Sequence, residues 1–441
     1  MYEMFFLSIS MLIFGCIAFK KNKGIDLISL FCFIWTIVFG AVSLKLYGMR
    51  EYQFTTVALF ALASFSFFIF GYIGRYGKYK HLRLERKTNN KEIKLNKRIL
   101  CLLICILTAF ILYMLLRMIA LMAAGIPMGT IHAMYLGRGN EEFFTIPILN
   151  QIHSKLIIPF VYCLVPIIAY LILTDLKGNW LCILVGLVDL LLYMMATGSR
   201  IVIIFVLSDM LLMLSFTRIR LSKKAFRKIK RFGSLILVIL IIALIGFTIS
   251  RKGFMSSNEK SVVSQVFGEI YKYFSLCIPF SDYWLSSIDK EGIVTYGKLS
   301  FYGLLSLIEW ICVFFFKTNT FGELEICKEI ASNLEIMQPI FKDAKCNAFV
   351  TYLFYFYTDF GIVGVIVLSS IWGFLCGSIG RKIKKEQTER SVLFYLLFAQ
   401  TVSMSFSRWI FFDAPYLLAF LYMSLLFAKG KNKKKKRIKF K

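Results

Sequence analysis

Acidic residues are scarce in this chain: 25 Asp and Glu stand against 53 Lys and Arg. Charged residues of both signs make up only 18% of the sequence, while 58% is hydrophobic. Such a composition excludes an ordinary water-soluble domain. Histidine occurs 3 times, and neither the histidines nor the scattered acids show metal-ligand spacing, so no metal and no cofactor is expected. No Walker loop is present, which excludes transport driven by this chain's own ATP hydrolysis. The Asp359-Phe360-Gly361 triplet has no glycine-rich or catalytic loop to make it a kinase motif. The 11 cysteines include no CxxC pair. Only Cys277, Cys312, Cys327 and Cys346 fall in a long loop, and no pattern there calls for a disulfide.

What the chain does have is long apolar runs, the signal of membrane helices. Hydropathy predicts spans near 2–19, 25–44, 54–74, 99–124, 156–174, 179–197, 201–216, 233–250, 360–380, 391–407 and 412–428. The expected fold is therefore an all-α, polytopic membrane bundle of about eleven helices, with residues 1–441 forming one integral membrane domain. The head of the first span, MYEMFF, carries no basic residue and no clear cleavage site follows it, so it is not expected to be a signal peptide.

The net charge of +28 is carried in short basic runs between apolar stretches, the pattern of cytoplasmic loops rather than of nucleic-acid binding. Placing the N-terminus outside and the basic tail 429–441 in the cytoplasm puts 36 of the 53 basic residues inside. Residues 251–346 then form a large outer loop. Within it the apolar stretch 299–316 is expected to be re-entrant or to lie on the outer leaflet, since a full crossing would put the basic tail outside. Val263, Val266, Phe267, Ile270, Tyr273, Phe274 and Cys277 recur at helical spacing and predict an interfacial amphipathic helix.

Against this background, arginines in short outer turns need a reason. Arg200 follows Thr197-Gly198-Ser199, a tight turn with Ser199 as a helix N-cap. The following apolar run, 201–216, is only about 24 Å long as a helix, so Arg200 is expected at the depth of lipid phosphates. Arg138, Arg251 and Arg408 occupy comparable outer positions. An anionic ligand is the simplest common cause, and the guanidinium fork suits a diphosphate; snorkelling to headgroups is the plainer alternative. Asp359 is expected at the outer membrane edge, either as a general base or as a helix cap. Glu141, Glu142, His132 and Asp413 are weaker candidates for a base. Glu309 and Arg117 stand out as ions inside apolar runs, Arg117 with a structural role expected.

Two stretches, ATGSR at 196–200 and NAFVTYLFYFYTDFGIVGVIVLSSIWGFLCG at 347–377, resemble those of bacterial oligosaccharide repeat unit polymerases, the Wzy-type enzymes of O-antigen, capsule and exopolysaccharide synthesis. By position, Arg200, Asn347, Thr351, Asp359 and Gly361 carry the resemblance. It implies transfer of a growing glycan from undecaprenyl diphosphate to a new lipid-linked unit at the outer face of the cytoplasmic membrane. Asp359 and Arg200 are then the expected catalytic residues, with Asn347, Thr351 and Ser199 binding substrate; Arg138, Arg251 and Arg408 are expected to bind substrate from their outer positions, not from the resemblance. The implied partners are the lipid-linked oligosaccharide, membrane lipids, a chain-length regulator and a flippase, with no nucleic acid. An O-antigen ligase or other lipid-linked glycosyltransferase is the nearest alternative. A flippase or other transporter is a second, which would favour ionisable residues deep in the bundle and internal repeats.

Overall fold

Apolar helices dominate the computed structural model, which is 81% helical and describes residues 2–77, 94–135, 142–174, 178–197, 201–217, 262–318, 320–342, 344–347, 349–386 and 388–427. The expected span 233–250 and the tail 429–441 lie outside these residues. The first half of the chain supplies α1 (Tyr2–Asn22), α2 (Leu27–Ser43), α3 (Phe54–Tyr76), α4 (Lys97–Ala123), the short α5 (Met128–Tyr135) and α6 (Pro147–Ile152), then α7 (Ile158–Thr174), α8 (Trp180–Thr197) and α9 (Ile201–Thr217). A π-helical turn at His153–Ile157 joins α6 to α7. Among the described residues, six helical stretches are long and apolar enough to cross a membrane, and four more apolar helices run 10–17 residues. These are the helices of a multi-pass membrane protein.

Sequence chemistry fixes several helix starts. Asp26 caps α2 by accepting from the Ser29 amide at 3.0 Å, and Ser29 Oγ accepts from the Asp26 amide at 2.8 Å, a reciprocal capping box. The Asn96 side chain accepts from the amides of Arg98 and Ile99 at the start of α4. Pro166 interrupts the ladder of α7. Its missing N–H frees the Tyr162 carbonyl four residues earlier, and Gln400 Nε2 donates to that carbonyl at 3.0 Å. Phe5, Phe6, Ile9, Leu12 and Ile13 on α1 are all exposed; such a face suits hydrocarbon and not water.

The later part of the chain builds a cap: α10 (Val262–Ser275), α11 (Cys277–Glu291), α12 (Tyr302–Phe316), α13 (Glu325–Leu334) and an antiparallel hairpin of β1 (Gln338–Phe341) and β2 (Ala344–Cys346). The expected amphipathic helix is α10, with Tyr271 buried and Phe267 and Ile270 exposed. Its Tyr271 hydroxyl accepts from the Leu46 amide, which ties the cap to the end of α2. The stretch 299–316 becomes α12, and the chain turns back after it. Lys298 and Glu323, on either side of α12, meet at 2.7 Å, and the Phe321 amide donates to Glu309 at 2.9 Å. Both ends of α12 therefore belong to the same end of the molecule. The hairpin is a strand element that the all-α expectation did not contain. All eleven cysteines are free thiols.

The chain closes with α14 (Tyr352–Glu386), α15 (Glu389–Met404) and α16 (Ala414–Leu426). The span expected at 360–380 begins at a break within α14, and a further helical segment from Tyr352 precedes it. A break at Phe360 (φ −144°, ψ 19°) and Gly361 (φ 61°, ψ −148°) divides α14. Gly361 is suited to that positive φ because it lacks a Cβ.

The seam between α3 and α14 is built from glycine. A Cβ on Gly373 would lie 2.2 Å from the Phe67 carbonyl oxygen, and one on Gly377 would lie 2.0 Å from that of Gly71. Helices in lipid gain from such backbone contact because apolar burial gives them no drive to associate. Gly377→Val is expected to force the pair apart and to cost about 1–3 kcal/mol or more, as overpacking does. The thermal midpoint in detergent measures this, with Gly322→Ala as control, since a Cβ there meets nothing within 4 Å. An unchanged midpoint for Gly377→Val would mean that the seam is not as close as it stands here.

Candidate functional site

The two ends of the bundle differ in chemistry. One end, the basic end, gathers Lys20 and Lys21 in the last turn of α1, Lys23 just after it, Arg75 at the end of α3, Lys97 and Arg98 at the start of α4, and Lys384 and Lys385 at the end of α14. The other end carries the cap. There the start of α14 meets the end of α15, the Tyr352 amide donating to the Ser405 carbonyl at 3.1 Å.

Between the cap and these helix ends lies a recess of about 60 Å³, lined by Ala331, Leu334, Glu335, Tyr355, Arg408 and Phe412. Arg408 follows α15 in a short turn. Its Nη1 lies 3.5 Å from Asp413 Oδ2, and the two side chains are 32% and 23% exposed, so the pair is within reach of a ligand. Asp413 is the N-cap residue of α16, yet its side chain makes no cap hydrogen bond and turns to Arg408 instead. Burial pushes the Asp413 carboxyl above the usual carboxylate range, and Arg408 pulls the other way. Phe412 stacks on Tyr302 at 4.7 Å and lies 5.4 Å from Tyr355, giving the recess an aromatic wall. A guanidinium, a carboxylate and aromatic faces can together hold a phosphate-sized anion beside a sugar.

Three of the expected residues gather near this recess. Arg408 lines it. Asn347 Nδ2 donates to the Glu335 carbonyl at 2.8 Å, pinning the wall that follows α13. Thr351, fully buried, adjoins Val350 on the wall, and its Oγ1 has no hydrogen-bond partner. Ser199, Arg200, Arg138, Arg251 and Glu141 lie outside the described residues. His132 and Glu142 do not line the recess.

Asp359 is elsewhere and otherwise engaged. Its carboxylate is fully buried and accepts three hydrogen bonds: from Thr295 Oγ1 at 2.5 Å, the Leu299 amide at 3.1 Å and the Ser300 amide at 2.8 Å. In this structure the carboxylate expected to act as a base at the membrane edge is enclosed and its oxygens are taken up by these three donors. Nor does Asp359 cap the helix that follows the break. It fastens the 295–300 segment to α14, and the Ser300 carbonyl in turn accepts from Trp409 Nε1 at 2.9 Å. Trp409 is the neighbour of Arg408, so Asp359 is joined to the recess through one loop.

The two ions flagged in apolar runs also have partners. Arg117 Nε donates to the Phe143 carbonyl, and the guanidinium lies 5.7 Å from the Phe143 ring, tying α4 to the segment after α5. Glu309, 8% exposed, accepts from the Phe321 amide and from Lys328 Nζ at 3.4 Å and so closes the turn after α12. Cys327 and Cys346, in the cap, are poor nucleophiles, since burial pushes both thiols up to about 11.

Sequence reasoning missed two carboxyls inside the bundle. Asp189 on α8 accepts from Thr108 Oγ1 at 2.9 Å. Asp209 on α9 is fully buried, and neither oxygen has a hydrogen-bond partner. Each was a single acid in an apolar run, which hydropathy averages away. It missed Glu335 as well, for which the cap sequence offers no signal.

No protein family, curated protein or solved structure matches this chain.

Proposed function

We propose that the protein lengthens glycans carried on a lipid diphosphate, joining oligosaccharide repeat units at the cap end of the bundle. The observation that carries this reading is the Arg408–Asp413 pair in an aromatic recess at the cap end. The positive-inside bias makes the lysine-rich end cytoplasmic and the cap end outer, where lipid-linked repeat units are joined. Arg408 stabilises the diphosphate leaving group as charge develops, and Arg200 does the same if the sequence resemblance holds. Asp413, held 3.5 Å from Arg408, accepts the proton of the attacking sugar hydroxyl. The eleven-span topology, with the N-terminus outside, belongs to the same proposal.

Purified protein supplied with lipid-linked repeat units should yield a ladder of longer lipid-linked chains. Failure to elongate an authentic unit would overturn the reading. One observation favours a second reading, a secondary transporter: Asp209 is an intramembrane carboxyl without a partner, a common mark of ion pathways. Solute uptake into liposomes, abolished by Asp209→Leu, would support that alternative.

A further inference from the structure

At the basic end, the turn between α1 and α2 and the ends of α3 and α14 enclose a second recess, of about 30 Å³, whose lining includes Asn22, Asp26, Arg75, Ser215, Gly380 and Lys384. Arg75 is only 8% exposed. Its Nε donates to Asn22 Oδ1 at 3.1 Å and lies 3.7 Å from Asp26 Oδ2. Asp26 is occupied further by the Ser29 amide and hydroxyl and by Asn22 Nδ2. The Ser215 hydroxyl donates to the Leu211 carbonyl and accepts from the Ile25 amide. These pairings leave Arg75 Nη1, which is buried and has no hydrogen-bond partner. Nη1 sits 3.0 Å from where a Cβ on Gly380 would lie, and Gly380 forms the wall of the recess. Arg75 and Gly380 thus meet at the recess, which Tyr395 also lines, and a side chain at residue 380 would crowd the guanidinium.

A buried N–H on a cation requires an acceptor, best an anionic one. Lys384 adds a second positive charge in the lining, and Lys20 and Lys21 in the last turn of α1 and Lys23 after it belong to the same end. The volume admits one oxygen-sized group and excludes a whole sugar or nucleotide. The surrounding helices end here, at the level where a bilayer presents its phosphates. We infer that this recess binds one oxygen of a phosphate group, held by Arg75 Nη1 and Lys384, with the rest of the anion outside. The phosphate belongs to an anionic lipid headgroup or is inorganic phosphate. The inference does not depend on the proposed glycan chemistry.

The test is the thermal midpoint of the full chain in neutral detergent. It is titrated separately with phosphatidylglycerol, inorganic phosphate and, as a control without phosphate, diacylglycerol. Arg75→Gln removes the donor, but it also breaks a buried ion pair and can fail to fold. Gly380→Ala, which crowds the guanidinium, and Lys384→Gln therefore serve as the main variants. The expected result is a saturable rise in midpoint with phosphatidylglycerol and none with diacylglycerol, the half-saturating concentration rising at least tenfold in both variants. The same variant-sensitive response to inorganic phosphate would assign the site to the soluble anion. Equal responses in wild type and variants, or no response to either phosphate source, would overturn the inference.

Discussion

Replacing Asp359 with leucine is expected to loosen the 295–300 segment, leaving it the backbone bonds of Thr295 and Tyr296 to α14, and to destabilise the protein by on the order of 2–6 kcal/mol, because it strands the Leu299 and Ser300 amides at about 1–3 kcal/mol each. The three donors converge on a carboxylate with no exposure. Asp359→Asn is milder but still costly: an amide has one acceptor oxygen, so its NH2 must face an N–H or O–H donor. A general base would behave differently. The Asn variant would then keep its midpoint while its rate fell roughly 100- to 10,000-fold. Rate per folded molecule, measured beside the midpoint, separates the two. We expect Asp359→Asn to lose both together, with Thr295→Val showing a smaller version of the same loss. Full stability with abolished chain growth would restore Asp359 to the chemistry.

The second large effect concerns Arg408. Arg408→Lys should slow lengthening of lipid-linked chains by about 5- to 150-fold, the equivalent of 1–3 kcal/mol for a charged hydrogen bond, and Arg408→Ala should be worse. Lysine keeps the charge but loses the planar fork that holds two oxygens at once. Because Arg408 also pairs with Asp413 at 3.5 Å, each variant must be matched for folded protein in the membrane. A lysine variant with full activity would mean that Arg408 only balances Asp413 or reaches a headgroup.

How much of this was legible in the sequence depends on how local each signal is. Helices such as α3, α8 and α9 stand close to their predicted ranges because an apolar run of sufficient length carries its own information. Counting membrane thickness back from Arg381 stops at Phe360, where the break divides α14. The segment before the break was not foreseen: Tyr352, Phe354 and Phe356 are buried, Tyr352 against Phe31 and Trp35 of α2, rather than set in a membrane belt. The role of Asp359 could not be read because its partners lie 59 to 64 residues upstream. The hairpin 338–346 is too short to give an alternation. Arg408 was legible for the opposite reason: a cation in a short outer turn violates a local rule. Its partner Asp413, five residues on, was visible too, but only the uncapped geometry of α16 sets it apart from an ordinary helix start.

The break at Phe360–Gly361 has a mechanical consequence. Residues 352–359 are tied to α15 through the Tyr352 amide and to the cap through Asp359. Beyond the break, the rest of α14 is welded to α3 along the glycine seam and runs on to the basic end. The helix is therefore a jointed lever rather than a rod. Its short arm travels with the recess, and its long arm is fixed in the bundle. Rotation about Gly361 would move Tyr355 in the recess, and it would be felt inside the bundle as well, because Tyr352 on the same short arm packs on Phe31 and Trp35 of α2.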